Sequence, residues 1–362
     1  MKFKPRDRIL DIEAYVPGAS KAAVSKVIKL SSNENPFGPS PKAIEAYINA
    51  ADRIHRYPDG ASVELREAIA QKHGIDVNRV ICGTGSDELI TLLCNAYCGK
   101  GDEVLYTEHG FLMYPIAALG AGADPVKAAE PERKTDLKTL LNAVTPRTKI
   151  IFLANPNNPT GGIVKKDELL SFHAQLRSDI LLVIDSAYCE FVEEKNYTDA
   201  KDMVDQFDNV VMLRTFSKLY GLGGMRVGWS YSSREIADVL NRIRGIFNLT
   251  ISTQAAAVAA LDDQDYIDKS LKLNSEQKKW ITTELSGMGI HVYPGEGNFI
   301  MFTLKTPERA AECLTFLKDK GILIRGLVAY GLADCLRMTI GLPEDMQAVA
   351  MAMKEFILLR GA

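Results

Sequence analysis

Lys218 is the residue of this chain best placed to do covalent chemistry. It follows an apolar run, Val210 to Leu213, that reads as a buried strand. The surrounding segment is Thr215-Phe-Ser-Lys-Leu-Tyr-Gly-Leu-Gly-Gly-Met-Arg-Val-Gly228, so two hydroxyl residues precede the lysine and Arg226 stands eight positions on. A desolvated amine loses its charge readily and can attack a carbonyl. Most lysines are solvated loop cations, so the reading depends on partners elsewhere. Three segments offer them. Ile180-Leu-Leu-Val-Ile184 ends at Asp185, a carboxylate whose burial would be costly without a partner. Lys149-Ile-Ile-Phe-Leu153 leads into Asn155-Pro-Asn-Asn-Pro-Thr-Gly161, which carries Asn158. Gly83-Thr-Gly-Ser-Asp-Glu88 opens a helical pattern, and its unpaired backbone N–H groups at Gly85, Ser86 and Asp87 suit an anion such as phosphate. It lacks a P-loop lysine, and the full Gly-x-Gly-x-x-Gly fingerprint is absent, which disfavours a nucleotide.

The elements that must position these residues alternate. Apolar strands at 80–82, 103–106, 149–153, 180–184, 210–213 and 226–231 are separated by helical patterns at 62–73, 89–97, 114–119, 137–143 and 166–177. Apolar strands separated by helices predict an α/β fold with a mostly parallel sheet covered on both faces. In such sheets function gathers beyond the carboxyl ends of the strands, which is where Asn158, Asp185 and Lys218 each fall. Residues 236–277 read as helical, with a long helix bridging two lobes, and 291–359 mix short strands and helices as a smaller α+β lobe. The loop Leu30 to Pro41, rich in Pro, Asn and Gly, is excluded from helix interiors and central strands. The expected division is an N-terminal segment, 1–45, packing with the small domain, a large domain, 46–260, and a small domain, 261–362.

At 362 residues two lobes are the default. A net charge of −3 with no basic block argues against a nucleic-acid partner. No apolar run approaches the ~18 residues of a membrane span, and the polar start Met1-Lys-Phe-Lys-Pro-Arg-Asp lacks a signal sequence. The six cysteines are scattered, and Cys94 and Cys98, four apart in a helical pattern without a second ligand pair, read as buried thiols, consistent with a reducing cytoplasm.

A lysine for an aldehyde, an acid for a ring nitrogen, a donor for a phenolic oxygen and an anion site are together what pyridoxal phosphate requires. Asp185 can supply the acid, Asn158 and Tyr188 the donors, and Thr215, Ser217, Arg226 and the helix start at 85–87 the phosphate site. The order and spacing of Asn155-Pro-Asn-Asn-Pro-Thr-Gly161, Asp185-Ser-Ala-Tyr188 and Ser217-Lys218 with Arg226 resemble the aspartate-aminotransferase-like, fold-type-I pyridoxal-phosphate enzymes over essentially the whole chain. Asn33-Glu-Asn-Pro-Phe-Gly-Pro-Ser-Pro, Arg56-Tyr-Pro-Asp, Thr215-Phe-Ser-Lys-Leu-Tyr-Gly-Leu and Tyr330-Gly-Leu-Ala-Asp-Cys-Leu-Arg-Met-Thr-Ile-Gly341 further resemble the histidinol-phosphate aminotransferase family.

The resemblance implies a Schiff base at Lys218 and ping-pong transamination between histidinol phosphate and 2-oxoglutarate in histidine biosynthesis. It implies Asp185 on the pyridinium, and Asn158 and Tyr188 on the phenolic oxygen. Phe111, within Gly110-Phe-Leu-Met-Tyr114, should stack on the ring where many relatives have tyrosine. Tyr57 should reach a partner subunit's cofactor phosphate in a homodimer. Arg337 should hold the substrate α-carboxylate, for which a planar fork suits better than an ammonium. Arg325 and Tyr15 are candidates for the distal anion, and Asn33 should line the same pocket. Rival readings on the same fold are an aromatic amino acid aminotransferase and a threonine-phosphate-type decarboxylase. A non-catalytic ligand sensor would carry a fused DNA-binding domain, for which the chain leaves no room.

Overall fold

The computed structural model describes residues 3–13 and 27–360. Its centre is a seven-stranded sheet built from Val80–Gly83 (β2), Glu103–Thr107 (β3), Asp124–Ala128 (β4), Thr148–Ala154 (β5), Leu181–Asp185 (β6), Val210–Thr215 (β7) and Gly228–Tyr231 (β8), numbered after the short Ile28–Lys29 (β1). The order across the sheet is β2-β8-β7-β6-β5-β3-β4. Every neighbouring pair is parallel except the two made by β8, which runs against β2 and β7.

Alternation along the strands decides the two faces. Ile151, Leu153, Leu182, Ile184 and Met212 face one hydrophobic layer, while Ile150, Phe152, Leu181, Val183, Val211 and Leu213 face the other. Nearly all are fully buried, each contributing about 1.5–3 kcal/mol of transfer free energy. Both faces are therefore committed, and only the strand ends remain for chemistry. Register brings those ends together: Ala154 pairs with Asp185, Asp185 with Leu213, Thr215 with Gly228, and Gly228 with Gly83.

The second lobe has a four-stranded antiparallel sheet of His291–Tyr293 (β9), Phe299–Thr303 (β10), Arg325–Gly326 (β12) and Cys335–Thr339 (β13), in the order β12-β13-β10-β9. Ile322–Leu323 (β11) pairs separately with β1. Ile300, Phe302, Leu336 and Met338 pack there against Pro307–Asp319 and Pro343–Arg360. Leu30 belongs to this core, whereas Ala43 belongs to the large one. The loop between them consequently spans both lobes.

Several local expectations change. The helical stretch 236–277 is three helices, Arg234–Ile243, Ile251–Leu261 and Gln264–Gly287, and the last alone touches both cores, through Ile267 and Ile281. Strand β4 is absent from the sequence reading because Pro125 and Lys127 dilute its apolar pattern. It lies at the sheet edge, where a missing N–H is tolerated. The short helix Lys201–Gln206 was also not expected. Arg226 lies before β8 rather than within it, in the left-handed region at φ 51°.

Candidate active site

A cavity of about 430 Å³ opens over the carboxyl ends of the parallel strands. Lys218, Asp185, Tyr188, Asn158, Thr215, Ser217, Arg226, Ser86, Asp87 and Phe111 all line it. They arrive from the ends of several strands, so no single loop holds their spacing.

Asp185 closes β6 and is 5% exposed. The Tyr114 hydroxyl donates to its Oδ2 at 2.9 Å, while its buried Oδ1 has no hydrogen-bond partner. Burial raises the carboxyl from 3.8 to about 6, against the pull of the Tyr114 hydroxyl, the Ala187 backbone N–H and the Lys218 charge. A buried acceptor without a donor costs free energy, and a ring N–H⁺ presented from the cavity would satisfy it. Tyr114 itself was not nominated from sequence, because its hydroxyl meets Asp185 across 71 positions of chain. Its ring stacks on Phe152 at 4.7 Å and sits edge-on to Phe111, fixing the hydroxyl beneath the carboxylate.

Lys218 Nζ donates to the Ser32 carbonyl at 3.2 Å. Burial, then the positive charges of Arg337 and Arg226, lower its pKa from 10.5 to about 8, with Glu34 and Asp185 opposing. The amine is thus neutral over much of the mildly alkaline range, as a nucleophile must be.

Two donors face the same space. Arg337, 5% exposed, donates from Nη1 to Asn158 Oδ1 at 2.5 Å and from Nη2 to the Ser31 carbonyl at 2.8 Å. With its oxygen taken, Asn158 has only its NH₂ group left for the cavity. Tyr188 accepts from Asn33 Nδ2 at 2.9 Å, which leaves its hydroxyl proton to donate elsewhere. Asn33 is buried, held by Thr339 and Asn298, and acts through Tyr188 rather than lining the cavity itself.

The anion site has the expected parts with two changes of role. Helix Ser86–Tyr97 has no side-chain cap, so its first N–H groups at Ser86 and Asp87 remain available, whereas the Gly85 N–H expected to face an anion donates to the Gly83 carbonyl at 2.8 Å. Gly85 has φ 84°, and a Cβ there would collide with Asp87 and Arg226. Arg226 reaches Asp87 Oδ1 at 2.7 Å, the Gly223 carbonyl at 3.0 Å and Ser217 Oγ at 3.4 Å. A carboxylate repels phosphate, so Asp87 can help an anion only through its backbone and by holding Arg226. In the glycine turn, Gly221 (φ 67°) is the required one, since a Cβ would strike the Gly38 carbonyl. The donor set, the open acceptor on Asp185 and the uncapped helix fit pyridoxal phosphate.

A profile of the family described as aminotransferase class I and II matches residues 25–353. The chain belongs to this family. Among curated proteins, this aminotransferase is 49% identical to histidinol-phosphate aminotransferase of Rhodospirillum centenum, over 98% of each chain. It is equally close to the same-named protein of Paramagnetospirillum magneticum, at 49% over 98% of each chain. Among solved structures it is similar to histidinol-phosphate aminotransferase from Sinorhizobium meliloti in complex with pyridoxal-5'-phosphate, with TM-score 0.91 and 27% identity over 98% of each chain.

Of the other residues nominated from sequence, Arg337 lies beside this cavity, bound to Asn158, while Tyr57 and Arg325 lie elsewhere. Tyr57 is 82% exposed and stacks on Phe247 at 4.7 Å. Arg325 lines a separate cavity of about 630 Å³ between the lobes, with Lys127, Tyr106 and Leu112. Tyr15 lies outside the described residues. Ser32 and Glu34, conversely, line the aminotransferase cavity and were not nominated, because a loop gives no periodicity to show which side chains face inward. Among the described residues no group of His, Cys, Asp and Glu could hold a metal ion, and no helix is long and apolar enough to cross a membrane.

Proposed function

We propose that this aminotransferase transfers the amino group of histidinol phosphate to 2-oxoglutarate with pyridoxal phosphate as cofactor. The observation that carries the reading is the facing pair of Lys218 and Asp185 in one cavity, within a chain 49% identical to proteins named for that activity. When bound, pyridoxal phosphate supplies an aldehyde for amine exchange and a protonated ring that withdraws electrons from the substrate α-carbon.

The chain's own residues would do the rest. Asp185 Oδ1 would hold the ring nitrogen's proton, with Tyr114 steadying the other oxygen. Asn158 and Tyr188 would donate to the phenolic oxygen, and Phe111 would cover a ring face. Thr215, Ser217, Arg226 and the N–H groups of Ser86 and Asp87 would hold the phosphate. Lys218 Nζ would move a proton to and from the substrate α-carbon, and Arg337 would bind the substrate carboxylate. Arg325 and Tyr15 remain the candidates for the distal anion. The lobes 46–260 and 261–362 would carry cofactor and substrate contacts respectively, with 1–45 packing on the latter, in a cytoplasmic enzyme.

Steady-state rates with histidinol phosphate and with phenylalanine, each with 2-oxoglutarate, test the substrate. A kcat/KM higher for phenylalanine would favour an aromatic aminotransferase instead. Arg337→Lys replaces a planar fork by a point charge. It is expected to raise KM for the amino donor about 10- to 100-fold, the loss of one charged hydrogen bond, and an unchanged KM would remove Arg337 from the carboxylate site.

We also propose a homodimer. Tyr57 is exposed and stacks on Phe247, itself exposed and next in sequence to exposed Ile246, apolar surface of the kind that marks an interface. A partner's Tyr57 could then reach the phosphate that its own chain's Tyr57 does not. Sedimentation equilibrium should give a dimer, with Tyr57→Ala weakening pyridoxal phosphate binding. A fully active monomer contradicts a shared site.

A further inference from the structure

Strand β7 carries a buried arginine, Arg214, one residue before Thr215 and four before Lys218. Its side chain is 5% exposed, packs near the Trp229 ring, and makes two ion pairs. Nη2 donates to Glu190 Oε1 at 2.8 Å, and Nη1 donates to Asp199 Oδ2 at 2.7 Å. Glu190 follows Tyr188 by two residues and Asp185 by five. Asp199 is bound a second time to the same loop, because its carbonyl accepts from Ser186 Oγ at 2.8 Å. Ser186 N–H in turn donates to the Leu213 carbonyl at 2.9 Å. One guanidinium therefore joins the segment bearing Asp185 and Tyr188 to the segment bearing Lys218.

Stability alone does not account for this group. Burying the Arg214 charge against two partly buried carboxylates is costly, and well-packed apolar residues in their place are often as stable or more so. The cluster is also unbalanced, with one cation against two carboxylates, and Arg214 Nε has no hydrogen-bond partner. What a planar fork offers that a hydrophobe cannot is a directed, two-sided attachment. Catalytic groups need their spacing held within about 0.5 Å by such supporting contacts.

We propose that Arg214, clamped by Glu190 and Asp199, is a positioning residue that sets the distance between Lys218 and the Asp185–Tyr188 loop. The role rests on the pyridoxal phosphate reading above.

The decisive comparison is Glu190→Met against Glu190→Gln. Glu190→Met cuts the direct link from Arg214 to the Asp185–Tyr188 loop, leaving only the path through Asp199 and Ser186 and a balanced Arg214–Asp199 pair, while the glutamine oxygen can still accept from Nη2. For each folded variant, pyridoxal phosphate binding to the apoprotein and the pH midpoint of the bound cofactor's visible absorbance are measured beside melting temperature. Glu190→Met should bind pyridoxal phosphate about tenfold more weakly, the loss of one charged hydrogen bond, with a displaced pH midpoint. Glu190→Gln should restore both. Glu190→Met matching the parent in affinity and midpoint would overturn the clamp, whatever its melting temperature. Should Glu190→Met not fold, Arg214→Lys decides, since one ammonium does not reproduce the two-sided fork. The same weakening and displacement support the clamp, and parent-like values overturn it. A parent protein that fails to bind pyridoxal phosphate at all overturns the cofactor reading itself, and the clamp with it.

Discussion

Lys218→Ala is expected to lower transamination about 10⁴-fold, the upper range of a positioned acid–base group, because the same nitrogen serves as carbonyl trap and proton carrier. Borohydride should then leave no pyridoxal phosphate attached to the denatured variant, whereas the parent retains it. The pH dependence has a definite sign. With the Lys218 pKa lowered to about 8, the neutral amine is scarce below that value and dominant above it. Capture of pyridoxal phosphate by the apoprotein should therefore speed up as pH rises and level off above about 8. Stopped-flow absorbance checks this. A capture rate flat from pH 6 to 9, or retained cofactor in Lys218→Ala, would exclude Lys218 as the attachment point.

Asp185→Asn carries the second large effect. The amide keeps the shape and can still meet Tyr114, but it does not hold a proton on the cofactor ring. Turnover should fall about 10²- to 10⁴-fold, with binding of pyridoxal phosphate weakened less. Stability should move the other way in the apoprotein. A carboxyl whose folded pKa lies above its unfolded value stabilises the fold below the unfolded pKa and loses that contribution as pH rises through the folded one. For Asp185 the window runs from 3.8 to about 6, corresponding to about 3 kcal/mol. Above pH 6 the parent apoprotein carries a buried charge with one oxygen unpartnered, and Asp185→Asn removes it. Urea unfolding of both apoproteins at pH 5 and pH 8 should show the variant's advantage growing with pH. An advantage independent of pH would mean that the Asp185 charge is not what strains the apoprotein.

The two effects share one origin. Asp185 and Lys218 are placed where burial works against their charged forms; the Tyr114 hydroxyl at Asp185 and the Glu34 charge at Lys218 only partly oppose this, and Arg337 reinforces it at Lys218. Groups at strand ends between two packed hydrophobic layers are held rigidly, which lets them remain in an unfavourable environment. The Arg214 pairs extend the same principle to the opposite side of β7.

Much of this was legible in the chain. Lys218, Asp185, Asn158 and the glycine turn at 83–85 each follow a short apolar run, and short apolar runs separated by helices lead to a parallel sheet whose ends share one edge. That inference needs only local pattern and the handedness of the fold. The limits of the sequence lay where a contact joins distant positions. Nothing local marks the Tyr114 hydroxyl, which meets Asp185 only in the fold. Nothing local marks Arg214 either, just past the apolar run 210–213, until Glu190 and Asp199 close around it. The resemblance offered Tyr57 for a partner's phosphate, Arg337 for the α-carboxylate and Arg325 for the distal anion. Only the structure separated Arg337, bound to Asn158 beside the cavity, from Arg325 in the neighbouring cavity and Tyr57 on the surface. The sequence alone determined which residues stand at strand ends and hence which chemistry converges there, because periodicity and burial are local properties. Tertiary structure alone decided which side chains hold those residues in place. A hydrogen-bond partner is chosen by three-dimensional packing, which no one-dimensional spacing records.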